Sequence, residues 1–205
     1  MCGVACHSGD AGACLGLLTL RLRGKPIPVE LFSSQFEALC SAGNPLGCRG
    51  LGQLYVQGAG RPKDDVRAVE LYEKACSGKD AVACVYLSVM LELGRGVAQD
   101  KARALALLET HCDQGVGPAC NELGYFYVDG SYLEPNHRRA FELFTFACQT
   151  GQVNACDSVG EAYEKGWHVA RDLEKAEACY RLGCEYWGGG GSCESAARVR
   201  AQLGK

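Results

Sequence analysis

The stretch ACSGKDAVAC, Ala75 to Cys84, places two cysteines eight positions apart around a polar turn. Its outline returns as HCDQGVGPAC (His111 to Cys120) and as ACQTGQVNAC (Ala147 to Cys156). Self-similarity at a fixed spacing decides the fold ahead of any local reading. The leading cysteines Cys40, Cys76, Cys112, Cys148 and Cys184 follow one another at 36-residue intervals, as do the trailing Cys48, Cys84, Cys120 and Cys156. Cys6 and Cys14 form an earlier pair, and Cys184 with Cys193 a slightly stretched last one. One rule thus places twelve of the fourteen cysteines.

Other residue types keep the same period. Ala68, Ala104, Ala140 and Ala176 form one column, Gly58, Gly94, Gly130 and Gly166 a second, and Asp64, Asp100, Asn136 and Asp172 a third. Asp or Asn ahead of an apolar run is a helix N-cap, because its side-chain oxygen accepts from a backbone N–H that the first turn leaves unpaired. Glycine just past such a run supplies the left-handed residue that ends a helix. Each unit therefore reads as a helix A, such as Ala81 to Leu93, a glycine-containing loop, and a helix B, such as Asp65 to Cys76, which turns tightly into the next helix A.

Ala68, Val69, Leu71, Tyr72, Ala75 and Cys76 lie on one face of helix B, and Cys84, Leu87, Met90 and Leu91 on one face of helix A. The fold class that follows is all-α, an α-solenoid of antiparallel helix pairs in which each pair buries its apolar face on the next. Residues 1–205 read as a single solenoid with units breaking near 14, 48, 84, 120 and 156, closed by a capping helix within 193–205. That helix is expected to carry Arg198 and Arg200 on its outer side.

A cysteine in the last turn of helix B and another in the first turn of the next helix A face each other across a hairpin, within the roughly 4.4 to 6.8 Å between Cα atoms that a disulfide needs. The expected bridges are Cys6–Cys14, Cys40–Cys48, Cys76–Cys84, Cys112–Cys120, Cys148–Cys156 and Cys184–Cys193. Metal binding is the competing reading. Zinc sites gather C-x2-C or C-x4-C knuckles with histidine, whereas no C-x-x-C occurs here, and His7, His111, His137 and His168 share no column. No metal and no cofactor is expected. Disulfides in this number require an oxidising compartment, so the chain is expected to be secreted or periplasmic, with the mitochondrial intermembrane space as the other setting. Cys179 falls in the column of Leu71, Leu107 and Leu143 and reads as a small core residue; Cys2 falls in the column of Phe36 and Tyr72 at the start of the chain.

The segments ACNELG (Ala119 to Gly124), ACDSVG, CRGLG, GRGV (Gly94 to Val97), LEKA and YEKAC resemble the Sel1-like repeat. The paired cysteines narrow the resemblance to the cysteine-rich branch, similar to the Helicobacter cysteine-rich protein family and to cysteine-rich intermembrane-space members. The resemblance covers nearly the whole chain, apart from GKPIPVELFSSQ in the first unit and the insertion in EYWGGGGSC. It implies a right-handed superhelix with a disulfide in each helix pair, and a concave face lined by helix A. Penicillin binding with weak β-lactam hydrolysis, or a redox or metal-assembly role, comes with the resemblance as an alternative.

The chain carries little that such chemistry requires. There is no S-x-x-K, S-D-N or K-T-G, and SAAR at Ser195 to Arg198 offers an arginine where a base is needed. No G-x-S-x-G elbow or phosphate loop is present, and the adjacent Asp64 and Asp65 read as a cap and its neighbour. The net charge of −3 without a basic cluster argues against a nucleic-acid partner, and no apolar run is long enough to span a membrane. MCGVACHSGDAGAC begins inside a repeat, so an export signal is expected to precede Met1 in a longer precursor.

What is left is binding. Counting from each trailing cysteine, +3, +4 and +7 belong to the core, so +1 and +5 are expected to face the groove: Arg49 and Gln53, Val85 and Val89, Asn121 and Tyr125, Asp157 and Glu161. The row grades from basic through apolar and polar to acidic. It would suit a protein or extended peptide partner with its acidic end near Arg49 and its basic end near Glu161.

Overall fold

The turn inside each cysteine pair sets the geometry of everything around it. In ACSGKDAVAC the backbone at Lys79 is left-handed, with φ of 68°. The same column elsewhere is glycine: Gly43, Gly115 and Gly151, with φ of 82°, 82° and 91°. That single left-handed residue lets the next N–H reach back to the helix just ended, Asp80 to the Ala75 carbonyl at 3.1 Å, Val116 to His111 at 3.0 Å and Gln152 to Ala147 at 2.9 Å.

The computed structural model describes residue 6 and residues 10–22, 28–29, 32–130, 132–187 and 190–204. Cys2, much of GKPIPVELFSSQ and the centre of the glycine-rich insertion lie outside them. Among the described residues there are eleven helices and no strand: α1 (Ala11–Leu22), α2 (Ser33–Ser41), α3 (Pro45–Gln57), α4 (Asp65–Ser77), α5 (Ala81–Leu93), α6 (Lys101–Asp113), α7 (Gly117–Asp129), α8 (His137–Gln149), α9 (Val153–Lys165), α10 (Leu173–Trp187) and α11 (Gly191–Gln202). The chain forms two compact units, Met1–Leu107 and Leu108–Lys205.

In the first unit, α2 with α3 and α4 with α5 are antiparallel pairs. Asp64 caps α4 by accepting from the Arg67 N–H at 2.9 Å, and Asp80 caps α5 by accepting from Val82 and Ala83. Gly58 and Gly94 end α3 and α5 in the left-handed conformation. Cys6–Cys14, Cys40–Cys48 and Cys76–Cys84 are disulfides, with Cα atoms 4.7, 4.4 and 4.7 Å apart. Ala68 is fully buried, and Gly52 admits the ring of Tyr72: a Cβ on Gly52 would stand 2.6 Å from its Cε1.

The second unit repeats these devices. Asn136 and Asp172 cap α8 and α10 through the Arg139 and Lys175 N–H groups, and Gly130 and Gly166 end α7 and α9. Cys112–Cys120, Cys148–Cys156 and Cys184–Cys193 are disulfides, with Cα atoms 4.7, 4.8 and 4.5 Å apart. Gly124 receives Phe144, and Gly160 receives Tyr180. The last helix starts at Gly191 and closes the unit by burying Ala196 and Val199 against Ala176 and Tyr180. Its arginines lie on its exposed side, and each is tied to a neighbouring helix: Arg198 pairs with the buried Glu164 of α9, and Arg200 pairs with Glu177 of α10 at 2.5 Å. Valine at 199 faces the core, and the arginines on either side of it, about half exposed, reach carboxylates of the two preceding helices.

Candidate functional site

The two helix A columns expected in the groove have different surroundings. The +1 column turns inward. Val85 is 4% exposed and Asn121 0%, while Arg49 lies half-buried with its Nε 2.7 Å from the N-cap carboxylate Asp80. Asp157 accepts from the Ser192 hydroxyl at 2.7 Å. The reason is helical phase: +1 is the i,i+3 neighbour of +4, the column of Gly52, Ser88, Gly124 and Gly160, which admits the next helix. The +5 column is the more open one. Gln53 donates to the Tyr86 hydroxyl at 2.8 Å in the first unit, and the Tyr125 hydroxyl lies 3.4 Å from that of Ser158 in the second, so consecutive A helices touch through equivalent positions. Val89 and Glu161 are half-buried. Arg49 is spent on Asp80 and Glu161 on Lys165, so neither stands as a free charge at the end of a graded row.

Tyr125 and Glu161 of the second unit border a pocket of about 420 Å³. Tyr125 and Val128 come from α7, His137, Phe141 and Phe144 from α8, and Glu161 and Ala162 from α9, while Trp167 and His168 come from the loop after α9. The rings interlock. Phe144 meets Tyr125 edge to face at 5.0 Å, Phe141 meets Tyr163 at 5.6 Å, and the imidazoles of His137 and His168 stack at 5.1 Å with 14° between their planes. Trp167 is 51% exposed and Tyr125 44%. Lys165 sets its ammonium over the Trp167 ring, 4.1 Å from the centroid, and pairs with Glu161. Size and lining match a site for a side chain or small molecule, apolar with few polar groups.

A polar hollow adjoins it across Ser158 and Glu161, where α9, α10 and α11 converge. Burial pushes the Asp157 carboxyl up from its usual range, and the Ser192 hydrogen bond only partly offsets this. Its Oδ1 is buried without a hydrogen-bond partner. Glu164 is also buried, which taken alone would raise it; hydrogen bonds from Arg198 and Tyr180 and the neighbouring positive charges outweigh burial and hold it below the usual carboxylate range. Tyr180 is pushed up by burial and by the carboxylate it donates to at 3.0 Å. Ser195 has Arg198 for its neighbour, 3.4 Å away, a group that cannot take a proton. Cys179 is half-buried and unpaired among the described residues, and burial with the nearby Asp157 charge raises its thiol above the ordinary value, the opposite of what a nucleophilic thiol requires.

The pocket residues His137, Phe141, Trp167 and His168 escape a reading confined to helix A, and Val128 escapes one confined to its +1 and +5 positions. A signal was present in the loop column, where Trp167 aligns with Ala59 and Arg95: a tryptophan in a polar connection. His168 shares its column with Gly60, Gly96 and Tyr132; Gly60 and Gly96 have φ values of 70° and 69°, and His168 adopts φ of 58°, while Tyr132 is not left-handed. A left-handed histidine costs on the order of 1 kcal/mol, so its ring is held there against a local preference.

A Sel1-repeat family model matches residues 45–80, 81–116, 117–151, 153–185 and 176–195. Comparison with curated proteins gives no match. Among solved structures, a Sel1 repeat protein from Oxalobacter formigenes is 24% identical, with 84% of this chain and 74% of that one covered at a TM-score of 0.64. A Sel1 repeat protein from Klebsiella pneumoniae is 20% identical, with 95% of each chain covered at 0.64. Cysteine rich protein B of Helicobacter pylori is 26% identical, with 60% of this chain and 89% of that one covered at 0.48. Repeated helix pairs, a shared cap and glycine frame and a family match running from residue 45 to residue 195 have one meaning: the chain belongs to the Sel1-repeat family.

Proposed function

We propose that this disulfide-stapled Sel1-repeat scaffold works outside the cytosol, secreted or periplasmic, and holds an extended segment of a protein partner against the open helix A positions of its repeats. The aromatic pocket carries the reading. Tyr125 and Trp167 leave large apolar surface in solvent beside a cavity of side-chain size, which a chain with no partner would have reason to cover. The compartment follows from chemistry: cytosolic glutathione would reduce six such bridges, and an oxidising environment preserves them. Among the described residues no helix is long and apolar enough to cross a membrane.

The test uses a photo-crosslinking amino acid at Tyr125, at Trp167 and, as control, at Arg138, whose side chain is 83% exposed on α8. One partner cross-linked from the first two positions, with none from the third, is the expected outcome. Equal yields from all three positions would refute a directed surface.

A further inference from the structure

We propose that the aromatic pocket takes an arginine side chain of the bound segment, and that Lys165 is the resident cation which that side chain displaces. The inference rests on the scaffold reading above and names the chemistry of its anchor. The walls of the pocket are ring faces and edges, from Tyr125, Phe141, Trp167 and His168, and the one carboxylate on its lining is Glu161. Negative ring faces beside a carboxylate select a cation with a flat apolar body, and guanidinium, planar and weakly hydrated, stacks on rings while forking toward a carboxylate. The chain shows that a cation is stabilised at the border of this site: the Lys165 ammonium, which lines the adjoining polar hollow, lies 4.1 Å from the Trp167 centroid and pairs with Glu161.

Lys165 is a weak holder of that place. Its side chain is 45% exposed and that of Glu161 46%, so water screens the pair. It also stands one helical turn from Glu161 and does not line the aromatic pocket. An arginine entering from a partner would contact the same carboxylate and the same ring, and fill the space as well. His168 supports the assignment, since it lines the pocket from a left-handed backbone that Gly60 and Gly96 share and that Tyr132, the other side-chain-bearing residue of its column, does not adopt, and its ring stacks on that of His137.

Two peptides, acetyl-Leu-Arg-Leu-amide and the same peptide with citrulline, match closely in shape, the second having a neutral urea in place of the guanidinium. Each is titrated into the disulfide-intact chain while the Trp167 indole N–H is followed by NMR, the signal being assigned with Trp167→Phe. The arginine peptide is expected to bind about fivefold more tightly. Glu161→Gln should erase that preference. Lys165→Met should tighten the arginine peptide about threefold and leave the citrulline peptide unchanged, because it removes the competitor.

Equal affinity of the two peptides for the wild-type chain overturns the proposal and leaves an apolar anchor. Weaker arginine binding in Lys165→Met overturns the displacement. If neither peptide shifts Trp167 at millimolar concentration while Tyr125 still cross-links a partner, the arginine assignment falls and the scaffold reading stands. Failure of both experiments removes both.

Discussion

Replacing Cys148 and Cys156 together by alanine isolates what one staple contributes. The bridge closes a loop spanning eight positions, between Cα atoms 4.8 Å apart. For so short a loop, chain entropy gives about 2.6 kcal/mol. Two features of the hairpin bear on that figure. Gly151 is already left-handed, with φ of 91°, and the Gln152 N–H bonds to the Ala147 carbonyl at 2.9 Å, so part of the turn can persist in the unfolded chain and reduce the gain. Cys156 is 2% exposed, so its truncation leaves a small void that adds to the loss.

The two corrections oppose each other, and the expected loss remains about 2 to 3 kcal/mol, a shift of roughly 0.5 to 1 M in the guanidinium midpoint for a unit of this size. Repeats couple only to their neighbours, so the loss should also be local: hydrogen exchange should accelerate in α8 and α9 before it does in α4 and α5. An unchanged midpoint in a variant with wild-type helicity would show that the turn alone holds the hairpin. Uniform acceleration across both units would refute the local account.

Gly124→Ala would bring a Cβ to 2.6 Å from Phe144 Cε1 in a packed core; overpacking outweighs the better helix propensity of alanine, and a net loss of about 1 kcal/mol is expected in thermal unfolding, partly recovered by adding Phe144→Leu. Lys79→Gly removes a side chain from a left-handed position and should stabilise the chain by roughly 0.5 kcal/mol, measured by the same denaturant titration. Asp157→Asn probes a carboxyl that burial has raised. The folded chain holds that proton more tightly than the unfolded chain does, so ionisation costs stability fully above the folded pKa and not at all below the unfolded one. The asparagine variant should therefore be the more stable at neutral pH, and its advantage should fade as pH falls through the raised value toward the ordinary carboxylate range; an advantage independent of pH would show that the charge is not its source.

The parts of this fold that are legible in the sequence are those set by a local rule repeated in every unit. A disulfide across a hairpin needs two cysteines at one spacing, a helix start needs a side-chain oxygen, and a left-handed stop favours glycine. Each leaves a column at 36-residue intervals, and Cys76 with Cys84, Asp64 and Gly94 show all three. The candidate site followed less well because it depends on what neighbouring helices do. Arg49 was legible as a charge on helix A, but its bond to Asp80, 31 residues on, depends on how the next hairpin packs. Arg198 reads as an exposed residue of a capping helix and is one, but its pairing with Glu164, 34 residues earlier, depends on how that helix packs.

The pocket marks where the repeated rule gives way. A frame of columns constrains its own members, so a residue that fits its column is explained by the fold. His168 is not explained that way: Gly60 and Gly96 adopt the same left-handed backbone without a side chain, Tyr132 carries a side chain without that backbone, and among the described members of the column His168 alone combines the two. Trp167 beside it stands where the other connections carry Ala59, Arg95 and Ser131. Both departures fall in one loop, and both side chains border one cavity, opposite Tyr125 from the open helix A column. Lys79 departs from a glycine column as well, yet it projects into solvent and meets no cavity, which is what a tolerated substitution looks like. On the scaffold reading proposed above, the first substitutions to weaken partner binding should be those at Trp167 and His168, which join a strained backbone to a place on the pocket wall, ahead of any in the graded helix A row.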